Sequence, residues 1–106
     1  MIELMNLREA YPSEPYDFRV DRHSPVGNPF RAKSEKHRDE ACDAYEGYFH
    51  AMVSSNNDEI VKYLAMIQEA LREHGKVRLF CWCVPKRCHG ETIRQWLFDH
   101  RKQTNA

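Results

Sequence analysis

The sequence predicts an α/β fold: a small three-stranded sheet, or one slightly larger, packed with about three helices in the order β-β-α-α-β-α. Three observations carry that expectation. The segment YDFRV alternates apolar and polar residues with period two, as a half-buried strand does. Residues 35–53 and 57–74 repeat apolar side chains at helical spacing. The run KVRLFCWCV, bounded by Gly75 and Pro85, reads as a buried strand. At 106 residues the chain makes one domain, 1–106, able to bury a modest core.

The elements follow in order. IELMNL opens the chain with strand character and apolar residues at 2, 4 and 5. Tyr11-Pro12-Ser13-Glu14-Pro15 is rich in turn formers. In YDFRV, Tyr16, Phe18 and Val20 share one side, and Asp17 and Arg19 the other. An antiparallel pairing of these first two strands is the expectation. Residues 21–34, DRHSPVGNPFRAKS, form an irregular loop, because Pro25, Gly27 and Pro29 forbid regular structure. Ser34 can cap a helix running from Glu35 to about Val53, with apolar residues at 41, 44, 45, 48, 49, 52 and 53.

Ser54-Ser55-Asn56-Asn57 breaks that stripe, and Asn57 can cap a second helix with Asp58 and Glu59 in its first turn. Ile60, Leu64, Ile67 and Leu71 face the core there, and Gly75 stands where a left-handed terminal residue belongs. A strand over 76–84 ends at Pro85. The last helix starts near His89 or Gly90, with Ile93, Trp96, Leu97 and His100 on one face. The tail RKQTNA frays, at least over 103–106.

Composition narrows the function classes. Lys and Arg balance Asp and Glu at 16 each, whereas a nucleic-acid binder carries a basic excess. Nucleic acid is therefore the least favoured partner; Arg94, Arg101 and Lys102 on the last helix are its candidate contacts. No run of 18 apolar residues is present, so no membrane span is expected. The opening MIELMNLREAYP has no basic stretch followed by an apolar one, so the expectation is a cytoplasmic protein with reduced thiols. Cys81 and Cys83 stand too close for an unstrained bridge, which argues for thiols or metal ligands.

The chemistry concentrates in CWCVPKRCHG, residues 81–90. Period two places Cys81 and Cys83 on one face of the strand and Trp82 on the other. Cys88 and His89 lie where the loop enters the last helix. Ligands of open α/β sheets bind at such carboxyl ends of strands, and Lys86 and Arg87 add positive charge that suits an anion. Three readings compete. Cys81, Cys83, Cys88 and His89 have the softness to hold zinc, although neighbouring Cys88 and His89 point apart and no paired knuckles occur. Cys88 as nucleophile with His89 as acid or base makes a chemical site. Otherwise Cys81 and Cys83 are small core residues. The Cys81-to-Arg87 spacing matches that of phosphate-cradling cysteine phosphatases, but the loop lacks glycine and Pro85 removes a donor.

The second unusual stretch is VDRHSPVGNPFR, 20–31. Gly27 can take positive φ, Pro29 holds Asn28 extended, and Phe30 can anchor the loop in the core. As a binding loop it would turn Arg22, His23 and Asn28 toward the Cys/His end of the sheet. Arg38, one turn into the first helix, is a further anion ligand or a solvated charge. Cys42, Tyr45, Tyr48 and Phe49 form a packing stripe. His37, His50, His74 and His100 are surface or helix-end residues, and Glu91 can cap the last helix.

GNPF at 27–30, preceded by Arg22 and followed by Arg38, Tyr45, CWCVP and CHG, resembles domain of unknown function 4326, small proteins common in phages and bacteria. The resemblance runs from about residue 3 to 98. It implies a shared signature of Arg22, Gly27, Asn28, Pro29, Phe30, Cys81, Cys83, Pro85, Cys88, His89 and Gly90, and it implies no activity. Family members commonly place Gly before the arginine and before the first cysteine; here Asp21 and Phe80 stand there. The favoured expectation is a pocket in which Arg22, Asn28, Arg38 and Arg87 hold an anionic small molecule, such as a nucleotide or phosphorylated metabolite, with Cys88 or His89 doing any chemistry. The alternative is a zinc-stapled or thiol-lined structural protein that contacts a partner, a host protein in the host cytoplasm if the chain is phage-encoded.

Overall fold

The computed structural model describes residues 1–31 and 33–100. Three strands form one sheet: β1 (Ile2–Asn6), β2 (Asp17–Arg19) and β3 (Val77–Cys81). Helices α1 (Arg38–Ser54) and α2 (Asp58–His74) join β2 to β3, and α3 (Gly90–His100) follows β3. The fold class and element order are those the sequence predicts. The frayed tail expected over 103–106, and with it Arg101 and Lys102, lies outside the described residues.

The sheet order is β1-β3-β2, and both outer strands run parallel to β3. Leu4 pairs with Leu79 on one side of β3, and Phe18 pairs with the same residue on the other. The expected antiparallel pair is therefore corrected: β1 and β2 are not neighbours. A parallel pair needs a long crossover. The α1–α2 hairpin supplies it between β2 and β3, so β3, the last of the three strands in sequence, takes the centre.

One face of the sheet carries the core. Val77, Leu79 and Cys81 alternate inward on β3 and pack with Tyr45 and Phe49 of α1, Ile60, Leu64 and Ile67 of α2, and Ile93 and Leu97 of α3. Val20, just past β2, joins them fully buried. On the opposite face, Arg78 closes on the carboxylate of Asp17 at 2.6 and 2.7 Å, and its guanidinium lies 5.5 Å from the Phe80 ring centre. Phe80 is itself fully buried.

Local signals set the helix ends. The Asn57 side chain accepts from the Ile60 N–H at 3.2 Å, a cap contributing about 1 kcal/mol. Gly75 takes φ 74°, and its N–H closes on the Leu71 carbonyl. The first helix departs from expectation. Ser34 leads a 3-10 turn, Glu35–His37, and its hydroxyl bonds the His37 ring rather than a backbone N–H. The α-helix proper begins at Arg38.

β3 is also shorter than the predicted 76–84. The last pairings along it are Leu7 N–H to Cys81 O at 2.8 Å and Val20 N–H to Phe80 O at 2.9 Å. Beyond Cys81 the chain turns, and the Asn6 side-chain amide holds the carbonyls of Trp82 and Val84. The Val84–Pro85 peptide is cis. Cys83 is thus on a turn, not on the strand.

Candidate functional site

Because all three strands run parallel, their carboxyl ends meet at one edge of the sheet. The segments that leave them are the 82–89 turn and the 20–31 loop, together with Asn6 at the end of β1. Several contacts bind the loop to the rest. The Tyr45 hydroxyl, fully buried, donates to the Val26 carbonyl at 2.6 Å. Burial pushes its pKa up, so it stays protonated and able to donate. Tyr63 donates to the Arg19 carbonyl at 2.6 Å from α2. His89 donates through Nε2 to the Val20 carbonyl, while its Nδ1 faces Cys88 Sγ at 3.6 Å. Its ring stands edge-on to Tyr45 at 5.0 Å. Burial lowers the His89 pKa, so the imidazole is neutral at pH 7.

Gly27 is not at positive φ, contrary to expectation; among the described glycines only Gly75 is. Its role is close approach. A Cβ there would lie 2.5 Å from the Asp21 carbonyl oxygen and 2.6 Å from the Arg22 Cα. Gly27 therefore folds the GNPF turn back onto the residues that carry Arg22. Asn28 is engaged on both sides: its oxygen accepts from Phe30 N–H at 2.9 Å, and its amide reaches the Ala41 carbonyl at 3.3 Å. Phe30 does not anchor the core. It is 41% exposed and touches Tyr48 edge-on.

Asp21 is 4% exposed. It accepts from Arg19 and, at 3.0 Å, from the Trp82 indole N–H. Those hydrogen bonds outweigh its burial and hold the carboxyl below its usual range. Trp82 and Asp21 thereby fasten the turn after β3 to the loop after β2, and Trp82 remains 42% exposed. Neither Asn6 nor Trp82 figured among the sequence candidates. The only available signal was their position at the carboxyl ends of β1 and β3.

Between loop and turn lies a cleft of about 560 Å³. Arg22, His23, Asn28, Phe30, Arg31, Arg38, Trp82, Cys83, Arg87 and His89 all line it. The predicted loop, Cys/His segment and Arg38 are thus brought together. Their charges are not equally free. Arg87 reaches Asp39 at 3.0 Å and Asp43 at 2.7 Å, and Arg38 pairs with Glu35 at 2.9 Å. Lys86 also pairs with Glu35, at 2.6 Å. Arg22 and Arg31 make no ion pair with any described residue.

The thiols differ in access. Cys81 and Cys88 are 0% and 2% exposed, with sulfurs 2.9 Å apart. Cys83 is half-buried and opens on the cleft. Hydrogen bonds from Cys81 and Cys88, with Arg38 nearby, hold the Cys83 thiol far below the ordinary thiol range. The same contacts, with burial, push Cys81 and Cys88 up. Cys42 is buried, its Sγ 3.8 Å from the Arg87 carbonyl, and burial raises its pKa. Glu91 accepts from the Cys88 N–H at 3.2 Å and so occupies the start of α3, as the capping expectation had it.

The zinc reading of Cys81, Cys83, Cys88 and His89 finds no support in this geometry. Among the described residues no group of three or more His, Cys, Asp or Glu is placed to hold a metal ion. Two sulfurs on one tetrahedral zinc stand about 3.8 Å apart, wider than the Cys81–Cys88 contact. His89 Nε2 is engaged by the Val20 carbonyl, which leaves Nδ1, facing Cys88, as the nitrogen open to other partners.

The sequence matches the family described as domain of unknown function (DUF4326) over residues 5–99. The chain belongs to the DUF4326 family. No curated protein and no solved structure matches it. No helix among the described residues of this DUF4326 chain is long and apolar enough to cross a membrane. Family membership carries no activity with it, so a functional reading rests on the cleft itself.

Proposed function

We propose that this chain binds an anionic small molecule with a planar ring, a nucleotide or a similar phosphorylated metabolite, in the cleft at the carboxyl ends of its strands. One observation carries the reading: Arg22 and Arg31, without a carboxylate partner among the described residues, share the cleft with the exposed rings of Trp82 and Phe30. A guanidinium fork matches phosphate oxygens two at a time, and an exposed aromatic face accepts a stacked base. Asp21, the sole acid among the described lining residues, is already neutralised by Arg19 and occupied by Trp82. Arg38 and Arg87 are paired and serve chiefly to hold α1 and the 82–89 turn in place. Asn28 orders the loop. If the ligand is transformed as well as bound, this reading assigns the attack to Cys83, which opens on the cleft, in place of buried Cys88.

The test is calorimetric titration of the protein with ADP and with inorganic pyrophosphate, repeated with tryptophan fluorescence. Both bind, ADP quenches the emission, and the quench is lost in Trp82→Phe. Combined Arg22→Ala and Arg31→Ala weakens binding about tenfold or more, the loss of about 1.4 kcal/mol, with the melting temperature unchanged. Absence of binding at millimolar ligand, or binding indifferent to that double substitution, overturns the reading.

A further inference from the structure

Three cysteines meet at one point, and ligand binding has no use for a cluster of them. One sulfur, Cys83, opens on the cleft; two, Cys81 and Cys88, are shut away from solvent 2.9 Å from each other. Both lie close enough to Cys83 to hold its thiol below the ordinary range. All three are free thiols. The arrangement separates a point of entry from a place of storage. A small oxidant entering the cleft meets Cys83 first, with Arg38 beside that sulfur to favour its thiolate form. The products of its oxidation then lie within reach of two further thiols. Cys81 and Cys83 are a poor pair, being two residues apart. Cys83 and Cys88 are joined by the 84–87 turn, and Cys81 touches Cys88 directly.

We propose that Cys83, Cys88 and Cys81 form a thiol relay that reduces a hydroperoxide and ends as a buried Cys81–Cys88 disulfide. The Cys83 thiolate attacks one peroxide oxygen; an S–O bond forms, the O–O bond breaks, and the leaving hydroxide or alkoxide takes a proton from solvent. Cys83 is now a sulfenic acid. The Cys88 sulfur attacks the Cys83 sulfur; an S–S bond forms, the S–O bond breaks, and the hydroxyl leaves as water with the Cys88 proton. The Cys81 sulfur then attacks the Cys88 sulfur, its proton passes to solvent, and Cys83 departs as a thiolate. A stabilised thiolate leaves faster than an ordinary one, so exchange runs inward. One hydroperoxide and two thiols give one disulfide, one water, and a second water or an alcohol. The relay needs no ligand in the cleft, so its failure and that of the anion-binding reading are separate outcomes.

The experiment treats the full reduced chain, freed of reductant, with equimolar hydrogen peroxide. The protein is then denatured, alkylated, digested with trypsin without reduction, and mapped by mass spectrometry. Trypsin cuts after Lys86 and Arg87, so a cross-link to Cys88 joins two peptides. The expected product has lost two thiols, links Cys81 to Cys88, and carries alkylated Cys42 and Cys83. Cys83→Ser slows the cross-link at least about tenfold, the loss of about 1.4 kcal/mol of barrier lowering. Cys88→Ala leaves a sulfenic acid at Cys83 that dimedone traps. The wild-type map stands by itself if either variant fails to fold. Peroxide that leaves all thiols intact, a cross-link that retains Cys83 or recruits Cys42, over-oxidised Cys83 without a cross-link, or an unchanged rate in folded Cys83→Ser each overturns the relay.

Discussion

Removing the Asp21 carboxylate tests how the cleft is held open. Its side chain is 4% exposed and accepts three hydrogen bonds, two from the Arg19 guanidinium and one from the Trp82 indole at 3.0 Å. The Arg19 side chain is 33% exposed, so solvent screens much of that pair and about 1 kcal/mol is a fair share for it. The indole N–H to a buried carboxylate contributes about 1.5 kcal/mol. Asp21→Ala is therefore expected to cost about 2–3 kcal/mol, or roughly 10–15 °C in melting temperature for a domain of this size. Asp21→Asn keeps an acceptor for the indole and loses the charge, at about 1 kcal/mol.

The pH dependence has a fixed sign. The folded-state pKa of Asp21 is lowered, so its contribution is complete above the ordinary carboxylate value and fades as pH falls through the folded one. Urea unfolding followed by circular dichroism, at neutral pH and at about pH 3, measures both effects. A wild-type-to-alanine gap under about 0.5 kcal/mol at neutral pH, or a gap that does not narrow in acid, refutes the argument.

Three further outcomes are expected. Gly27→Ala drives a Cβ into the Asp21 and Arg22 backbone and destabilises by about 1–3 kcal/mol, seen in the same urea titration; an unchanged midpoint rejects the close-approach role. Tyr45→Phe removes the buried hydroxyl from the Val26 carbonyl, costs about 1–2 kcal/mol, and speeds amide exchange in the 21–31 loop; exchange as slow as wild type contradicts it. With iodoacetamide, Cys83 is the first thiol labelled, at a rate nearly flat between about pH 5 and 8, because its thiolate is already formed; a rate rising tenfold per pH unit there would show an ordinary thiol.

Local physics made the helices legible. Asn57, Gly75 and the Ile60–Leu64–Ile67 stripe each act within a few residues of their own position, and the structure uses each as read. Strand partnership is a different matter. Nothing in IELMNL or YDFRV says whether the partner is the nearest strand in sequence or one far along the chain, and the parallel solution depends on where α1 and α2 pack. The convergence of the GNPF loop with CWCVPKRCHG could be anticipated from the rule that ligands sit at strand carboxyl ends. Which thiol opens on the cleft could not. Period two was extended through Cys83, whereas Asn6 captures the turn carbonyls and takes Cys83 off the strand. Arg87 looked free because Asp39 and Asp43 lie on a distant helix.

The central place of β3 bears on the order in which the chain can take shape during synthesis. β1 and β2 have no partner in each other, and the strand that joins them is made only after α2 is complete. Until residue 81 leaves the ribosome, β1 and β2 wait with open edges, a state that invites association with other chains. The α1–α2 hairpin, built from local contacts, can form first and shelter Val20 and Phe18 in the meantime. The cleft comes later still, closing only when residues 82–89 arrive.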